Sequence, residues 1–197
     1  MERKCFRLAR VFCAVAAGLS VASVASAAPV QWAVADGGNG HWYEVVVAEG
    51  GISWSIAKTA AEEAGGYLAV VTSSAENDFI FDLADPIAAA WDSSGINTLG
   101  PWLGGYQDPD HGNAWTWVTG ETFSYTNWGT SQPNGNGDFL NIYGYANNHG
   151  KTWNDFSSPV PGYVVEIVPE PASLALLSLS ALAVLRRRKA SSARSEK

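Results

Sequence analysis

Gln132-Pro133-Asn134 and, nineteen residues past Asn134, Trp153-Asn154-Asp155 are the two stretches on which the reading of this chain turns. Both put side-chain oxygens in polar, Gly/Asn-rich surroundings flanked by apolar, aromatic-rich runs. Oxygen donors on loops are what a hard cation such as Ca²⁺ takes. They are equally what a sugar hydroxyl hydrogen-bonds. The sequence around them decides which fold carries them.

Upstream, Tyr43 to Ala48 is short and β-branched and predicts a strand. Ser53 is expected to cap a helix with Trp54, Ile56, Ala57, Ala60, Ala61 and Ala64 largely on one face, which Gly65-Gly66 ends. Tyr67 to Val71 reads as a second strand. Ser73-x-x-Glu76 is a capping box opening a helix with Phe79, Ile80 and Leu83, limited by Pro86. Strands follow at Trp102–Tyr106, Trp115–Val118, Phe139–Tyr143 and Tyr163–Val168. Between Phe123 and Asn136 lies a polar run without period, and a loop of that length inside a compact domain is usually functional or disordered. Helices early and short strands later argue an α+β fold.

The pieces together resemble a C-type-lectin-like domain. Trp54-x-x-Ala57-x-x-x-Ala61-x-x-x-Gly65-Gly66-x-Leu68-Ala69 is similar to its first helix and strand, and Trp102-Leu103-Gly104 to its central strand. Trp115-x-Trp117-x-x-Gly120-Glu121, Tyr125-x-Asn127-Trp128, the two opening stretches and Gly162-Tyr163-Val164-Val165-Glu166 continue the likeness in order, over about residues 41–167. The resemblance implies two helices, short antiparallel strands and a long binding loop. It also implies that Gln132, Asn134, Asn154 and Asp155 ligate one Ca²⁺, which takes two sugar hydroxyls into its shell, and that the Gln132-Pro133 bond is cis. The family's extra acid falls near Gly137, and Asp138 beside it serves after a one-residue shift. The alternative is that these positions only hydrogen-bond the loop. Glu-Pro-Asn members tend to prefer mannose-type hydroxyls and Gln-Pro-Asp members galactose-type; Gln132-Pro133-Asn134 is a hybrid. The family's usual disulfide positions look like Ala61, one near Phe139, Ser158 and Val165, so this copy of the fold is expected to stand without disulfides.

Both ends of the chain read as addresses. Arg3, Lys4, Arg7 and Arg10, an apolar Val11–Val24 and Ala25-Ser26-Ala27 form a secretory signal over residues 1–27, with signal peptidase cutting after Ala27. At the other end, Val168-Pro169-Glu170-Pro171, the uncharged Ala172–Leu185 and Arg186-Arg187-Arg188-Lys189 resemble the PEP-CTERM sorting signal of Gram-negative bacteria over residues 168–189. That likeness implies transient inner-membrane anchoring and cleavage near Pro169-Glu170-Pro171 by an exosortase-type transpeptidase. Delivery to the cell surface or an exopolysaccharide matrix follows. A helix of fourteen residues spans about 21 Å, short of the ~30 Å hydrocarbon core, so basic side chains must snorkel. The Arg cluster predicts that residues 190–197 form a cytoplasmic tail.

The domain between, residues 28–167, carries sixteen acids against Lys58 and Lys151, a formal charge of −14. A nucleic-acid partner is excluded on that charge. Both cysteines, Cys5 and Cys13, lie in the leader and all nine Trp in the domain, so aromatic packing must supply the stabilisation. Asp108-Pro109-Asp110-His111-Gly112 lacks the spaced oxygens of a calcium loop and reads as a solvated turn. His41, His111 and His149 have no metal-ligand spacing, and no nucleophile elbow or phosphate loop occurs, so the sequence points to a binding module rather than an enzyme. Trp153 admits two roles, core residue or sugar platform.

Overall fold

The computed structural model describes residues 24–169. Its spine is the antiparallel pair β3 (Trp42–Ile52) and β9 (Val160–Ile167), in register from Trp42↔Ile167 to Val47↔Gly162. The register shifts beyond Val47, where Gly50 and Gly51 take φ of 83° and 85°, a region that side-chain-bearing residues avoid. The strand therefore runs four residues past the predicted Ala48. Val24–Ser26 (β1) and Val30–Gln31 (β2) both pair with β3. β1 lies within residues 1–27, the stretch expected to be a leader, and β2 lies beyond it.

α1 (Trp54–Glu63) buries Trp54, Ala57 and Ala61 and donates the Trp54 indole N–H to the Leu103 carbonyl at 2.8 Å. Ile56, expected on that face, is 62% exposed, and Ser53 makes no side-chain cap. Tyr67–Leu68 (β4) joins β9, and α2 (Ser74–Ala84) follows with Ser73 Oγ accepting from the Glu76 N–H at 3.2 Å. β5 (Asn97–Asp108) is far longer than the predicted Trp102–Tyr106. It pairs with β9 in parallel at Trp102↔Tyr163 and antiparallel with β6 (Ala114–Trp117) and β7 (Phe139–Tyr145). β8 (Asn148–Phe156) closes the order β1-β3-β9-β5-β7-β8. Asp108–Gly112 is a turn, in which the Asp108 carboxylate accepts the Asp110 N–H and sits 2.6 Å from His111 Nδ1.

Two apolar clusters hold the fold. The smaller gathers Trp54, Ala57, Ala61, Leu68, Trp102 and Val165, with Phe139 stacked on Trp54 at 4.6 Å. Three of the four disulfide-equivalent positions thus lie in or against one packed cluster, while Ser158 is exposed. The larger cluster contains Trp117, Leu140, Ile142 and Trp153 and sits beneath the long loop. No described helix is long and apolar enough to cross a membrane; the apolar run 172–185, the Arg cluster and most of the leader lie outside the described residues.

Candidate functional site

The long loop closes over Trp153. This indole is fully buried and meets Trp117, Phe123, Tyr125 and Trp128 edge-on, with centroids 5.5–6.2 Å away. Its N–H donates to Asn77 Oδ1 at 2.7 Å. The Trp153 N–H donates to the Asn127 carbonyl and its carbonyl accepts from Gly129, which ties the loop to β8. Trp153 is therefore a core residue, and of its two sequence readings the sugar platform falls away. Trp153-Asn154-Asp155 also lies on a strand, not a loop. The polar pair masked that strand, because Asn154 and Asp155 are both buried and no alternation survives.

Asp155 is 0% exposed, yet both carboxylate oxygens have donors. Oδ1 accepts the Asn134 N–H at 2.9 Å and Oδ2 the Gly135 N–H at 2.7 Å. The carboxylate thus pins the loop at the tripeptide. The Gln132-Pro133 bond is cis. The Gln132 N–H donates to Gly129, and its side-chain Oε1 is buried with no donor among the described residues. Asn134 is exposed, with Oδ1 accepting from the Asn136 N–H at 3.1 Å. Asn154 is 3% exposed and donates Nδ2 to Asn141 Oδ1 at 3.2 Å across the β7–β8 pair. Asp138 is exposed and lines a separate cleft with Tyr106, Gln107, Pro109 and Asn113. The structure thus joins Asn134 to Asp155, leaves Gln132 with an unmet oxygen, turns Asn154 onto Asn141 and sets Asp138 in another recess.

Gly137 itself leaves no room for the extra acid that the resemblance puts near this position. A Cβ there would fall 2.2–2.4 Å from the backbone of Phe156, so the chain admits no side chain at this position. Gly137→Ala is expected to lift the loop off β8 and to cost about 3 kcal/mol. Gly135→Ala has open space but a φ of 77°, and is expected to cost only about 1–2 kcal/mol. Urea unfolding of the two variants checks the order; equal losses would show that the close approach to Phe156 is unimportant.

Sequence reading missed a second polar centre, behind α2. Glu76 and Glu166 are 2% and 3% exposed, and both accept from the Tyr43 hydroxyl, at 2.7 and 3.1 Å. Glu166 Oε2 also accepts the Val70 N–H, and Oε1 lies 2.6 Å from His41 Nδ1. Glu76 does not return to the Ser73 N–H as a capping box would. Its carboxylate accepts from the Thr72 N–H and hydroxyl instead. Burial pushes the Glu166 carboxyl above the usual carboxylate range, against the His41 and Val70 contacts that lower it. Burial, then the two carboxylates, drive the Tyr43 phenol up as well. A glutamate inside the apolar run Val164–Ile167 was the available signal.

Comparison with known proteins agrees with this geometry. Residues 51–165 match the lectin C-type domain and residues 168–189 the PEP-CTERM protein-sorting motif. No curated protein matches the chain. Among solved structures, the chain is similar to the cow C-type carbohydrate-recognition domain of CD23, crystallised with a GlcNAc2Man3 oligosaccharide. Identity is 22%, coverage is 66% of this chain and 90% of that one, and the TM-score is 0.51. It is similar to the Ca²⁺-independent C-type lectin SPL-2 from Saxidomus purpuratus at 23% identity, 66% and 88% coverage and TM-score 0.52. Herring type II antifreeze protein is similar at 21% identity, 67% and 94% coverage and TM-score 0.52. At these identities the likeness speaks for the fold, while the domain and motif matches speak for the family. The chain belongs to the C-type lectin domain family and carries a PEP-CTERM sorting motif at its C-terminal end.

Proposed function

We propose that the protein is an exported glycan-binding module whose site is the tripeptide loop and the facing end of β8. The observation that carries this is the buried, donor-less Gln132 Oε1 on a loop already pinned by Asp155. A desolvated carbonyl oxygen is costly without a partner, and a cation or a sugar hydroxyl supplies one. Gln132, Asn134, Asn154 and Asp155 offer three amide oxygens and one carboxylate. That set fits a weakly held Ca²⁺, with dissociation in the roughly 10⁻⁴–10⁻³ M range of extracellular modules. Bound there, the ion supplies an electrophilic centre for two neighbouring sugar hydroxyls. Asn134 stands exposed at the rim to receive a hydroxyl, and Asp155 holds the loop in shape. In this reading the leader is removed after Ala27, residues 172–185 anchor the chain briefly in the inner membrane, and an exosortase-type enzyme cuts near Pro169-Glu170-Pro171. The module then reaches the cell surface or an exopolysaccharide matrix.

A second reading, a calcium-independent structural or protein-interaction component of that matrix, has its own observation. Two loop N–H groups already satisfy the Asp155 carboxylate, so the loop is closed without a cation. Binding of the full chain to mannose- and galactose-based glycans, with millimolar Ca²⁺ and with excess chelator, separates the two. The first reading expects binding that chelator removes and that Gln132→Leu lowers at least about tenfold, about 1.4 kcal/mol. Binding that survives chelator removes Ca²⁺ from the proposal, and no glycan binding under either condition favours the matrix component.

A further inference from the structure

A cleft of about 550 Å³ opens between the loop and the β7–β8 hairpin, lined by Thr130, Tyr143, Tyr145, Asn148, His149 and Thr152 among others. Thr130 lies two residues before Gln132, so the cleft begins where the candidate site ends. The contact between them is tight. A Cβ on Gly129 would fall 2.9 Å from the Tyr143 ring and 3.2 Å from Thr152 Oγ1, so the loop backbone lies directly on the cleft wall. Nothing in the tripeptide mechanism uses this space.

Its chemistry is amphipathic. Tyr143 contributes a ring fixed by its hydroxyl, which donates to Asn97 Oδ1 at 2.9 Å. Tyr145 stands 57% exposed, an aromatic face that the fold leaves uncovered. Asn148 commits Nδ2 to the turn carbonyls of Tyr145 and Ala146, which leaves its Oδ1 to accept. Thr130 adds an exposed hydroxyl. His149 is already engaged, with Nδ1 2.8 Å from Asp85 Oδ1 and its ring stacked on Trp91 at 4.1 Å. No carboxylate or ammonium lines the space, in a domain whose formal charge is −14. Aromatic faces with a few neutral donors and acceptors complement a pyranose, which is apolar on its face and hydroxylated at its edge. The volume lies within the usual range for ligand pockets.

We propose that this cleft is a second saccharide subsite, so that the module reads two or more consecutive neutral sugar units of a polymer rather than one terminal residue. The proposal rests on the glycan-binding reading and extends it from one sugar to a chain. Affinities of the full chain for mannose and galactose and for their neutral tetrasaccharides test it by calorimetry. The wild-type protein is expected to bind a tetrasaccharide about tenfold or more tighter than its monosaccharide, since one aromatic stack is worth about that factor. In Tyr145→Ala, whose exposed side chain the fold does not need, that ratio falls to near one. In Gln132→Leu both affinities fall together and the ratio stays. A wild-type ratio near one, or a ratio that Tyr145→Ala leaves intact, overturns the subsite while single-sugar binding keeps the glycan reading alive. Absence of binding to any sugar overturns both.

Discussion

Trp153→Ala is expected to lower the free energy of unfolding by about 3–5 kcal/mol, read as a shifted midpoint in a urea titration. Trp153 is fully buried at the centre of four aromatic side chains, and its removal opens a cavity that edge-on rings cannot collapse into without losing their mutual geometry. The loss has a polar part. Asn77 Oδ1 forfeits the indole donor, while Asn77 Nδ2 stays committed to the Lys151 carbonyl and cannot swing round to replace it. Because α2, the loop and β8 meet at this side chain, the variant should also loosen the loop, seen as faster amide exchange at Gly129 and Gly135. Trp115→Ala is the internal comparison. Trp115 is half-buried, tilted against Trp128 and stacked on Phe123, and it should cost clearly less. A Trp153→Ala loss below about 1.5 kcal/mol would place this ring at the surface, where sugars stack, instead of in the core.

Much of this architecture was legible because aromatic and glycine positions recur with fixed order. Trp54, Ala57 and Ala61 announced the first helix, and Trp102-Leu103-Gly104 the central strand. What stayed hidden depends on contacts between distant segments. Ile56 fits a helical stripe in the sequence but faces solvent, since the buried stripe is narrower than the apolar one. Asn154 and Asp155 looked like loop oxygens because polar residues seldom fill a strand buried on both faces. Their partners, Asn141 and the Asn134–Gly135 backbone, are thirteen and about twenty residues away. The tripeptide and the Asn-Asp pair could be located by sequence. That Asp155 spends both oxygens on the loop, and that Gly137 has no room for a side chain, needed the register of β7 on β8. Glu76 shows the same limit: its local spacing satisfied a capping box, while Thr72 beside it and Asn39 and Tyr43 from the far side of the sequence claimed the carboxylate.

That claim sets the second large effect. Tyr43→Phe is expected to cost about 2–3 kcal/mol near neutral pH, and much less as the pH approaches the ordinary carboxylate range near 4. The Tyr43 hydroxyl is the donor shared by two carboxylates that water barely reaches. Asn39 Nδ2 also points at this group, reaching Tyr43 Oη at 2.7 Å and Glu76 Oε1 at 3.1 Å, but it does not contact Glu166. Without the phenol, Glu166 keeps His41, the Val70 N–H and the neighbouring Tyr67 phenol against the cost of its burial. The Glu166 carboxyl already binds its proton more tightly in the folded chain than in the unfolded one, chiefly through desolvation. Its contribution to stability therefore grows as pH falls from above the folded value toward the unfolded one, and is lost on the way back up. Removing a donor to the ionised form raises the folded Glu166 value further, so the variant loses most where the Glu166 carboxyl is ionised and recovers on acidification. Asp92 and Asp108, whose carboxyls are held low by hydrogen bonds from Ser94 and His111, move total stability the opposite way, but they are common to both proteins and cancel in the difference. Urea midpoints of wild type and Tyr43→Phe at several pH values between about 4 and 8 give that difference directly. A gap that stays constant across the range would mean that the phenol acts through packing alone, and that the two buried carboxylates are not coupled through it.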